Sequence, residues 1–192
     1  KRALKTNWGK SGAILRMRGK GATKEWKRMR SRGMVIVYDR SQEEKKIAVR
    51  RNFKLLGAMM DDGGTMAEEV KSRIGAAQGR FARLLKTVFR RRGLADKVKI
   101  SFFKSVVMSV LLFDAEAWTR LGRPQLRAIQ GFISRKLRQV MGIKAEEKMT
   151  TEEVLKKAGI GTVRSELRIK RLKFVRNVTM DPPTPMLAAI HG

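Results

Sequence analysis

Hydrophobic and polar positions divide the chain into a strand-like beginning and a helical remainder. Up to about residue 60, short apolar or β-prone runs alternate with glycines and polar segments, a pattern typical of strands joined by loops. These runs predict four strands, Ala13–Met17, Met34–Tyr38, Lys46–Val49 and Phe53–Gly57. The basic stretch Thr23–Arg32, between the first two strands, is compatible with a helix or a loop.

From residue 61 onward the apolar residues recur at helical spacing. Thr65 and Glu68 have the spacing of a capping box, which predicts a first helix that runs to about Arg92. A second helix is predicted over about Ala95–Thr119. Its apolar residues occupy much of its circumference, so we expect it to be the central and most buried helix.

Three further helices are predicted after the second one. Pro124 suits the first turn of a third helix that ends at Gly142. Thr150 and Glu153 repeat the capping-box spacing and begin a short fourth helix. A fifth helix is predicted over about Val163–Val178.

The predicted fold class is α+β, mainly α, with a small strand-rich N-terminal part followed by a helical bundle. We divide the chain into a strand module at residues 1–60, a helical bundle at 61–145, C-terminal basic helices at 146–180 and a tail at 181–192. The tail is expected to be extended because Asp181-Pro182-Pro183 and Pro185 break regular structure.

The net charge of the chain says more about its partner than any short motif does. The 192 residues include 45 Lys and Arg against 17 Asp and Glu, which gives a net charge of +28. Such an excess destabilises a compact state unless a polyanion neutralises it, and nucleic acid is the commonest polyanion in cells. We therefore expect a nucleic-acid partner and rank a membrane surface below it. The longest apolar stretch, Val106–Phe113, is too short for a spanning helix.

Residues for metal, redox or phosphate-loop chemistry are scarce. The chain has no cysteine and a single histidine, His191, which excludes disulfides, thiolate metal sites and histidine clusters. Gly9-Lys10-Ser11 and Gly19-Lys20-Gly21 lack the spacing of a nucleotide-binding phosphate loop. We expect no cofactor and no metal.

The acidic pairs have structural interpretations. Asp61-Asp62 precedes two glycines and a capping threonine, which favours turn and helix-start chemistry over magnesium binding. Asp114 and Glu116 stand two residues apart, so they would not share a helix face, and we expect a buried salt bridge to an arginine of a neighbouring helix. No catalytic residue is expected.

Clustered basic residues are the candidate RNA-binding residues. They lie in the N-terminal part, around the turn between the two longest helices, along the third helix and on one face of the fifth. Contacts with the phosphates of a nucleic-acid backbone depend on positive charge more than on precise geometry. Ordinary protein surfaces mix positive and negative residues, so clusters with few acidic residues between them are informative. The candidates are Lys10, Arg16, Arg18, Lys20, Arg90, Arg91, Arg92, Lys97, Lys99, Arg135, Lys136, Arg138, Arg164, Arg168 and Arg171.

Aromatic side chains that could stack on unpaired bases are few, at 6% of the chain. Most of them lie on apolar faces of predicted helices. Trp8, Trp26 and Tyr38 remain as candidate platforms. Base-specific readout is therefore not expected.

Four segments, taken in order, resemble the reverse transcriptase of non-LTR (LINE-type) retrotransposons. They are Leu4-Lys5-Thr6-Asn7-Trp8-Gly9-Lys10-Ser11, Phe53-Lys54-Leu55-Leu56-Gly57-Ala58, Leu111-Leu112-Phe113-Asp114-Ala115-Glu116-Ala117-Trp118 and Arg171-Leu172-Lys173-Phe174. In that family the third segment reads Leu-Leu-Tyr-Gly-x-Glu-x-Trp and the fourth Arg-Leu-x-Trp. The resemblance implies that residues 1 to about 60 are the end of a palm and residues 61 to about 145 a thumb that grips template and primer.

The chain lacks several residues of that family, including those that carry out DNA synthesis. The family's catalytic aspartates have no counterpart here, and the zinc knuckle of some members is absent. Arg176-Asn177 stands where the family has Gly-His, and Thr179 replaces its usual Arg. Because polymerase chemistry needs carboxylates that hold two metal ions, we do not expect this chain to be an enzyme on its own.

Two functions from different classes are compatible with these features. The favoured one is a non-catalytic RNA-binding protein derived from a reverse transcriptase, a structural component of a large ribonucleoprotein such as a ribosome, organellar ones included, with other proteins as neighbours. The alternative is the C-terminal palm and thumb part of an active reverse transcriptase; the chain begins with Lys1, which fits a processed, incomplete or longer protein. An architectural DNA-binding protein comes third. Mitochondrion, nucleus and cytoplasm are all compatible locations.

Overall fold

The computed structural model describes residues 7–8, 11–38, 43–55, 58–61, 66–118 and 121–180. It is 65% helix and 12% strand, which confirms the predicted α+β, mainly α, class. The chain divides into two compact units, Lys1–Glu69 and Val70–Gly192. We call them the strand unit and the helical unit.

The described residues of the strand unit form two small sheets and one complete helix. Its elements are β1 (Gly12–Ala13), α1 (Ala22–Arg32), β2 (Met34–Tyr38), β3 (Glu44–Val49), β4 (Asn52–Leu55) and β5 (Ala58–Asp61). In the first sheet β3 is central, parallel to β1 and antiparallel to β2. In the second sheet β4 and β5 form an antiparallel pair.

The predicted strands are confirmed in part. β2 has the predicted bounds, and β3 begins two residues earlier than predicted. The first strand was wrong beyond Ala13, because the carbonyl of Leu15 accepts a hydrogen bond from Trp26 Nε1 instead of from a neighbouring strand. The pattern did not predict β5, which forms by pairing with β4. The ambiguous stretch after β1 is a helix, α1.

The helical unit is built from α2 (Ala67–Leu84), whose first turn belongs to the strand unit, and the elements after it. They are a π-helical turn (Leu85–Phe89), α3 (Asp96–Phe102), a π-helical segment (Phe103–Met108), α4 (Ser109–Leu111), a 3-10 turn (Ala115–Ala117), α5 (Arg123–Met141), a second 3-10 turn (Ala145–Glu147), α6 (Thr151–Ala158) and α7 (Val163–Met180). None of the helices in the described part of the chain has both the length and the apolar character needed to cross a membrane.

The second predicted helix was wrong beyond Leu111. Asp114 has a φ of 56°, a left-handed conformation that an α-helix cannot include. The chain turns there, and Leu112, Ala115 and Trp118 are buried without sharing a helix face. The first predicted helix likewise ends earlier, because a π turn follows Leu84 and leaves Phe89 buried. Its predicted cap, Thr65, lies outside the described residues.

The later helices confirm the prediction closely. α5 begins with Pro124 in its first turn and ends at Gly142, whose φ is 65°. At the start of α6 the Thr150 side chain accepts a hydrogen bond from the Glu153 backbone, and the Glu153 carboxylate accepts one from the Thr150 backbone. This is the predicted capping box. α7 continues two residues beyond its predicted end, to Met180.

The core of the helical unit centres on three phenylalanine rings. The Phe81 ring stacks on Phe89 with centroids 4.7 Å apart, and both meet Phe103 edge-on at 6.3 and 6.4 Å. Phe103 is completely buried, as expected for the second helix. Ile133 and Leu137 of α5 are equally buried, so these two stretches share the centre of the bundle.

Candidate nucleic-acid interface

Four lysines of the helical unit line one groove, which we call the lysine groove. They are Lys97 in the first turn of α3, Lys104 in the π-helical segment that follows it, and Lys156 and Lys157 in the last turn of α6. The groove has a volume of about 570 Å³, and Met141 at the end of α5 also lines it. All four lysines are exposed. Lys97, Lys156 and Lys157 have no hydrogen bond or ion pair among the described residues, so they are available to an anion in solvent.

Local structure explains why the lysines meet here. Gly159, with a φ of 58°, ends α6 two residues after Lys157. Cations in the last turn of a helix interact favourably with the partial negative charge of its free carbonyls. Lys104 Nζ donates a hydrogen bond of 2.8 Å to the Gly159 carbonyl, which ties the end of α6 to the π-helical segment. The groove is thus fixed by a contact between its own walls.

Only one carboxylate lies among the residues that line the lysine groove. It belongs to Asp96, and its Oδ1 is 3.6 Å from Nζ of Lys99, which is not a lining residue. The four groove lysines thus carry more positive charge than the lining residues compensate. Like charges held this close repel each other, and a bound anion relieves the repulsion.

The turn before α3 adds three exposed arginines, Arg90, Arg91 and Arg92. Arg90 N donates to the Leu85 carbonyl and closes the π turn, after which the chain leaves helical geometry. The turn is five residues from Lys97 along the chain. This region retains its charge at the surface, and we keep these arginines as candidates.

Of the three predicted RNA-binding residues on α5, one is exposed and two are used in packing. Arg135 is exposed. Lys136 Nζ lies 4.7 Å from the Phe81 ring centroid, and burial, followed by the charge of Arg135, lowers the pKa of Lys136. Arg138 Nη2 donates a hydrogen bond of 2.8 Å to the Met149 carbonyl. Lys136 and Arg138 therefore hold the bundle together, which their sequence position did not indicate.

The α7 face predicted from helical spacing is present. Arg164, Arg168 and Arg171 are exposed, and they follow one another at intervals of four and three residues along one face. Arg171 also donates a hydrogen bond from Nη2 to the Trp118 carbonyl. Arg164 and Arg168 are the members of this face with no hydrogen bond or ion pair in the described residues.

The strand unit has its own exposed cations. Arg16, Arg18 and Lys20 are exposed in the segment that leads into α1. Lys10 lies outside the described residues. α1 itself exposes four further cations that the sequence analysis had not included, Lys24, Lys27, Arg28 and Arg32, and Arg28 pairs with Glu25 at 3.5 Å.

The three aromatic candidates differ in their surroundings. Trp26 donates from Nε1 to the Leu15 carbonyl at 3.2 Å, and the Arg30 guanidinium lies 4.9 Å from its ring centroid. Its ring is therefore used to attach α1. Trp8 is half-buried, and Tyr38 is 63% exposed. Of the three, Tyr38 is the most available for stacking.

Lys104, Lys156 and Lys157 are the groove residues that sequence reasoning missed. Two signals were present in the sequence. Lys157 stands two residues before a glycine that ends a helix, and Lys104 is the single charge within the apolar stretch from Ile100 to Phe113. Neither signal shows that the two segments meet, because they are about fifty residues apart.

The junction around Glu116 corrects one expectation. The Glu116 carboxylate lies 3.6 Å from Nζ of Lys170 on α7, so its partner is a lysine and not the expected arginine. Within the described residues no three histidine or acidic side chains approach closely enough to hold a metal ion.

Comparisons with protein-family models, with curated proteins and with solved structures give no match for the chain.

Proposed function

We propose that the chain is a non-catalytic RNA-binding protein that contacts RNA phosphates with lysine and arginine side chains. The lysine groove carries the proposal, since four exposed lysines line a space of about 570 Å³ with one carboxylate that is already paired. Phosphates at the spacing of a nucleic-acid backbone would neutralise several of these groups at once.

A polymeric anion fits the charge distribution better than a small one. Exposed cations lie in the groove, in the turn at Arg90–Arg92, on the α7 face and around α1. A single small anion would neutralise one of these regions, whereas a folded RNA presents phosphates to many. We therefore propose a structural component of a large ribonucleoprotein, such as a ribosome, in which RNA surrounds small basic proteins and other proteins are neighbours.

Two contacts support the proposed derivation from a reverse transcriptase. The segment Leu111–Trp118 and the segment Arg171–Phe174 were the last two in the family resemblance. Arg171 donates to the Trp118 carbonyl 53 residues away, and the adjacent Lys170 pairs with Glu116. Segments that a family keeps in common are expected to depend on one another, and here they are in contact.

Asp114 supports the same derivation through its backbone. The family pattern has glycine where this chain has Asp114, and Asp114 has a φ of 56°. Glycine adopts that conformation without steric cost, aspartate is among the few other residues found in it, and most other side chains are strained there. The aspartate thus occupies a backbone position suited to glycine.

These two observations also favour the second candidate, the palm and thumb part of an active reverse transcriptase. Both candidates bind RNA with the same surfaces. They differ in whether a longer polypeptide supplies metal-binding aspartates, so an upstream Asp-Asp motif in the same reading frame and DNA synthesis by that polypeptide would favour the enzyme.

The proposed function is tested by the salt dependence of RNA binding. Changing Lys97, Lys156 and Lys157 to Gln leaves Lys104 in place to hold Gly159. Because each phosphate contact contributes about 0.7 to 0.9 to the slope of log affinity against log salt, we expect the slope to fall by about two to three.

The matched control is Lys144→Gln with Lys148→Gln in the same unit, where Glu146 and Glu147 lie between the lysines. We expect this pair to change the slope by less than one. An unchanged slope in the groove variant would overturn the proposal. Tighter binding of duplex DNA than of RNA would favour an architectural DNA-binding protein.

A further inference from the structure

Strand β2 exposes an apolar face that RNA phosphates do not explain. Met34, Ile36 and Tyr38 alternate along one side of the strand and are 55%, 53% and 63% exposed. Side chains on one side of a strand point in the same direction, so the three form one surface. Within the described residues β2 pairs with β3 alone, which leaves its other edge open.

The hydrogen-bond register tells which backbone groups point to that open edge. Val49 N donates to the Gly33 carbonyl at 2.8 Å, just before the first antiparallel pair, Met34 with Ala48. Bonded pairs alternate with non-bonded ones in an antiparallel ladder. Residues 35 and 37 therefore bond to β3, and the N–H and C=O groups of Met34, Ile36 and Tyr38 face outward.

An open edge with free donors and acceptors is a template for a further strand. Nucleic acid has no strand backbone to pair with it. A second copy of this chain would bring together two bodies of net charge +28, which repel each other. An extended segment of a different protein can pair with this edge without that repulsion.

Charges near β2 indicate the composition of that segment. Arg32 is exposed two residues before Met34, and the exposed Lys46 lies opposite Ile36 in the register. Glu44 lies opposite Tyr38 at the other end of the strand. Acidic residues are therefore favoured beside the first half of β2 and disfavoured beside Tyr38.

We propose that β2 binds an extended segment of a partner protein by strand addition. The segment alternates apolar and polar residues, so that one side packs against Met34, Ile36 and Tyr38, and it carries acidic residues near Arg32. The main-chain hydrogen bonds give affinity and the alternating side chains give specificity. This site is separate from the lysine groove and does not depend on RNA binding.

Residue-resolved amide hydrogen exchange on the full chain tests the proposal. The probe is a nine-residue peptide of alternating valine and threonine with two aspartates at one end, in both chain directions. At saturating peptide we expect exchange to slow by about tenfold or more at Ile36 and Tyr38, and at Met34. Val35 and Val37, already bonded to β3, are expected to change much less.

Two control peptides separate strand addition from charge attraction. A peptide of the same charge with proline at its centre cannot complete the ladder and is expected to give no protection. A peptide with lysines in place of the aspartates is expected to bind more weakly. Equal protection by the proline peptide would overturn the proposal.

Two variants complete the test. Ile36→Pro removes one outward N–H while leaving the bonds to β3, and Ile36→Lys keeps the N–H but puts a charge at the centre of the edge. Both are expected to lose peptide-dependent protection, while the amides of Val35 and Val37, which bond to β3, stay protected without peptide and show that the sheet still forms. Unchanged protection in both variants, or protection of the same amides by self-association without peptide, would refute the assignment of a partner strand.

Discussion

The strand unit and the helical unit differ most in how much apolar surface each buries. In the described part of the strand unit, Ile47 is the only buried apolar residue, and the remaining buried apolar residues belong to the helical unit. Conversely, β2 exposes most of its apolar side chains. The helical unit thus has a core of its own, whereas the strand unit has surface that a neighbour could cover.

The two proposed sites therefore lie on parts of the molecule that are packed to different degrees. The lysine groove belongs to the unit with the buried aromatic cluster, and the Lys104 contact with Gly159 joins two of the segments that line it. The edge of β2 belongs to a thinly packed unit, where an added strand would also contribute stability. Substitutions in the two units should therefore differ in how much stability they remove and in how many residues they affect.

The largest effect is expected in the helical core. Phe103→Ala removes a completely buried ring from the aromatic cluster and should lower the free energy of unfolding by about 3 to 5 kcal/mol. Its neighbour Phe102 is 42% exposed, so Phe102→Ala should cost about 1 kcal/mol or less. Denaturant unfolding followed by helical circular dichroism measures both. Similar losses for the two variants would contradict the assigned core.

A smaller and more local effect is expected in the strand unit. Ile47→Ala removes its buried apolar side chain and should cost about 2 kcal/mol. Hydrogen exchange should accelerate at the amides of β2 and β3 and remain unchanged in α5. Acceleration of both sets together would mean that the units unfold as one, which would remove the basis of the comparison.

Substitutions at Asp114, in its left-handed backbone conformation, should have the next largest effect on stability. A β-branched side chain suits its φ of 56° poorly, so Asp114→Val should destabilise the helical unit by about 1 to 2 kcal/mol. Asp114→Gly should leave stability within about 1 kcal/mol of the original, because relief of strain and added unfolded-state entropy oppose each other. Thermal unfolding compares the variants. Equal stability of the valine and glycine variants would exclude the left-handed backbone.

The smallest effect concerns the start of α6 and depends on pH. The backbone hydrogen bond from Thr150, followed by the Thr150 side chain, lowers the pKa of Glu153 from its ordinary value of 4.5. A lowered pKa stabilises the folded state above the ordinary value, and that contribution is lost as pH falls through the lowered value. Glu153→Gln should therefore destabilise slightly at pH 7 and not at all in acid.

Glu152→Gln is the matched control, since Glu152 is exposed and has no such hydrogen bond among the described residues. Thermal unfolding from pH 7 down to about pH 3 measures both variants. A pH-independent difference for Glu153→Gln would contradict the assigned capping contact.

Sequence reasoning succeeded where a local signal determines structure. Pro124, Gly142 and the capping box at Thr150 predicted α5 and α6 almost to the residue, because caps and turns depend on neighbours along the chain. It failed at Asp114, where the apolar run continues past Leu111 although the backbone leaves the helix. There, the buried Trp118 accepts a hydrogen bond at its carbonyl from Arg171, which lies far along the chain.

The candidate sites were less predictable than the helices. Arg90–Arg92 and the α7 face were identified from clustered charge, but the lysine groove joins Lys97 and Lys157, which no local pattern relates. Lys136 and Arg138 appeared to be surface cations and are packed against Phe81 and the Met149 carbonyl. Likewise, β2 was predicted with its bounds, but its open edge follows only from the sheet order.

The most direct test of the central claim is to purify the protein from its native cells at low salt and sequence the nucleic acid that accompanies it. The account predicts one stoichiometric structural RNA that is released steeply as salt rises, as many phosphate contacts require. Recovery of no nucleic acid, or of a retroelement transcript together with DNA synthesis by a longer polypeptide, would contradict a non-catalytic ribonucleoprotein component.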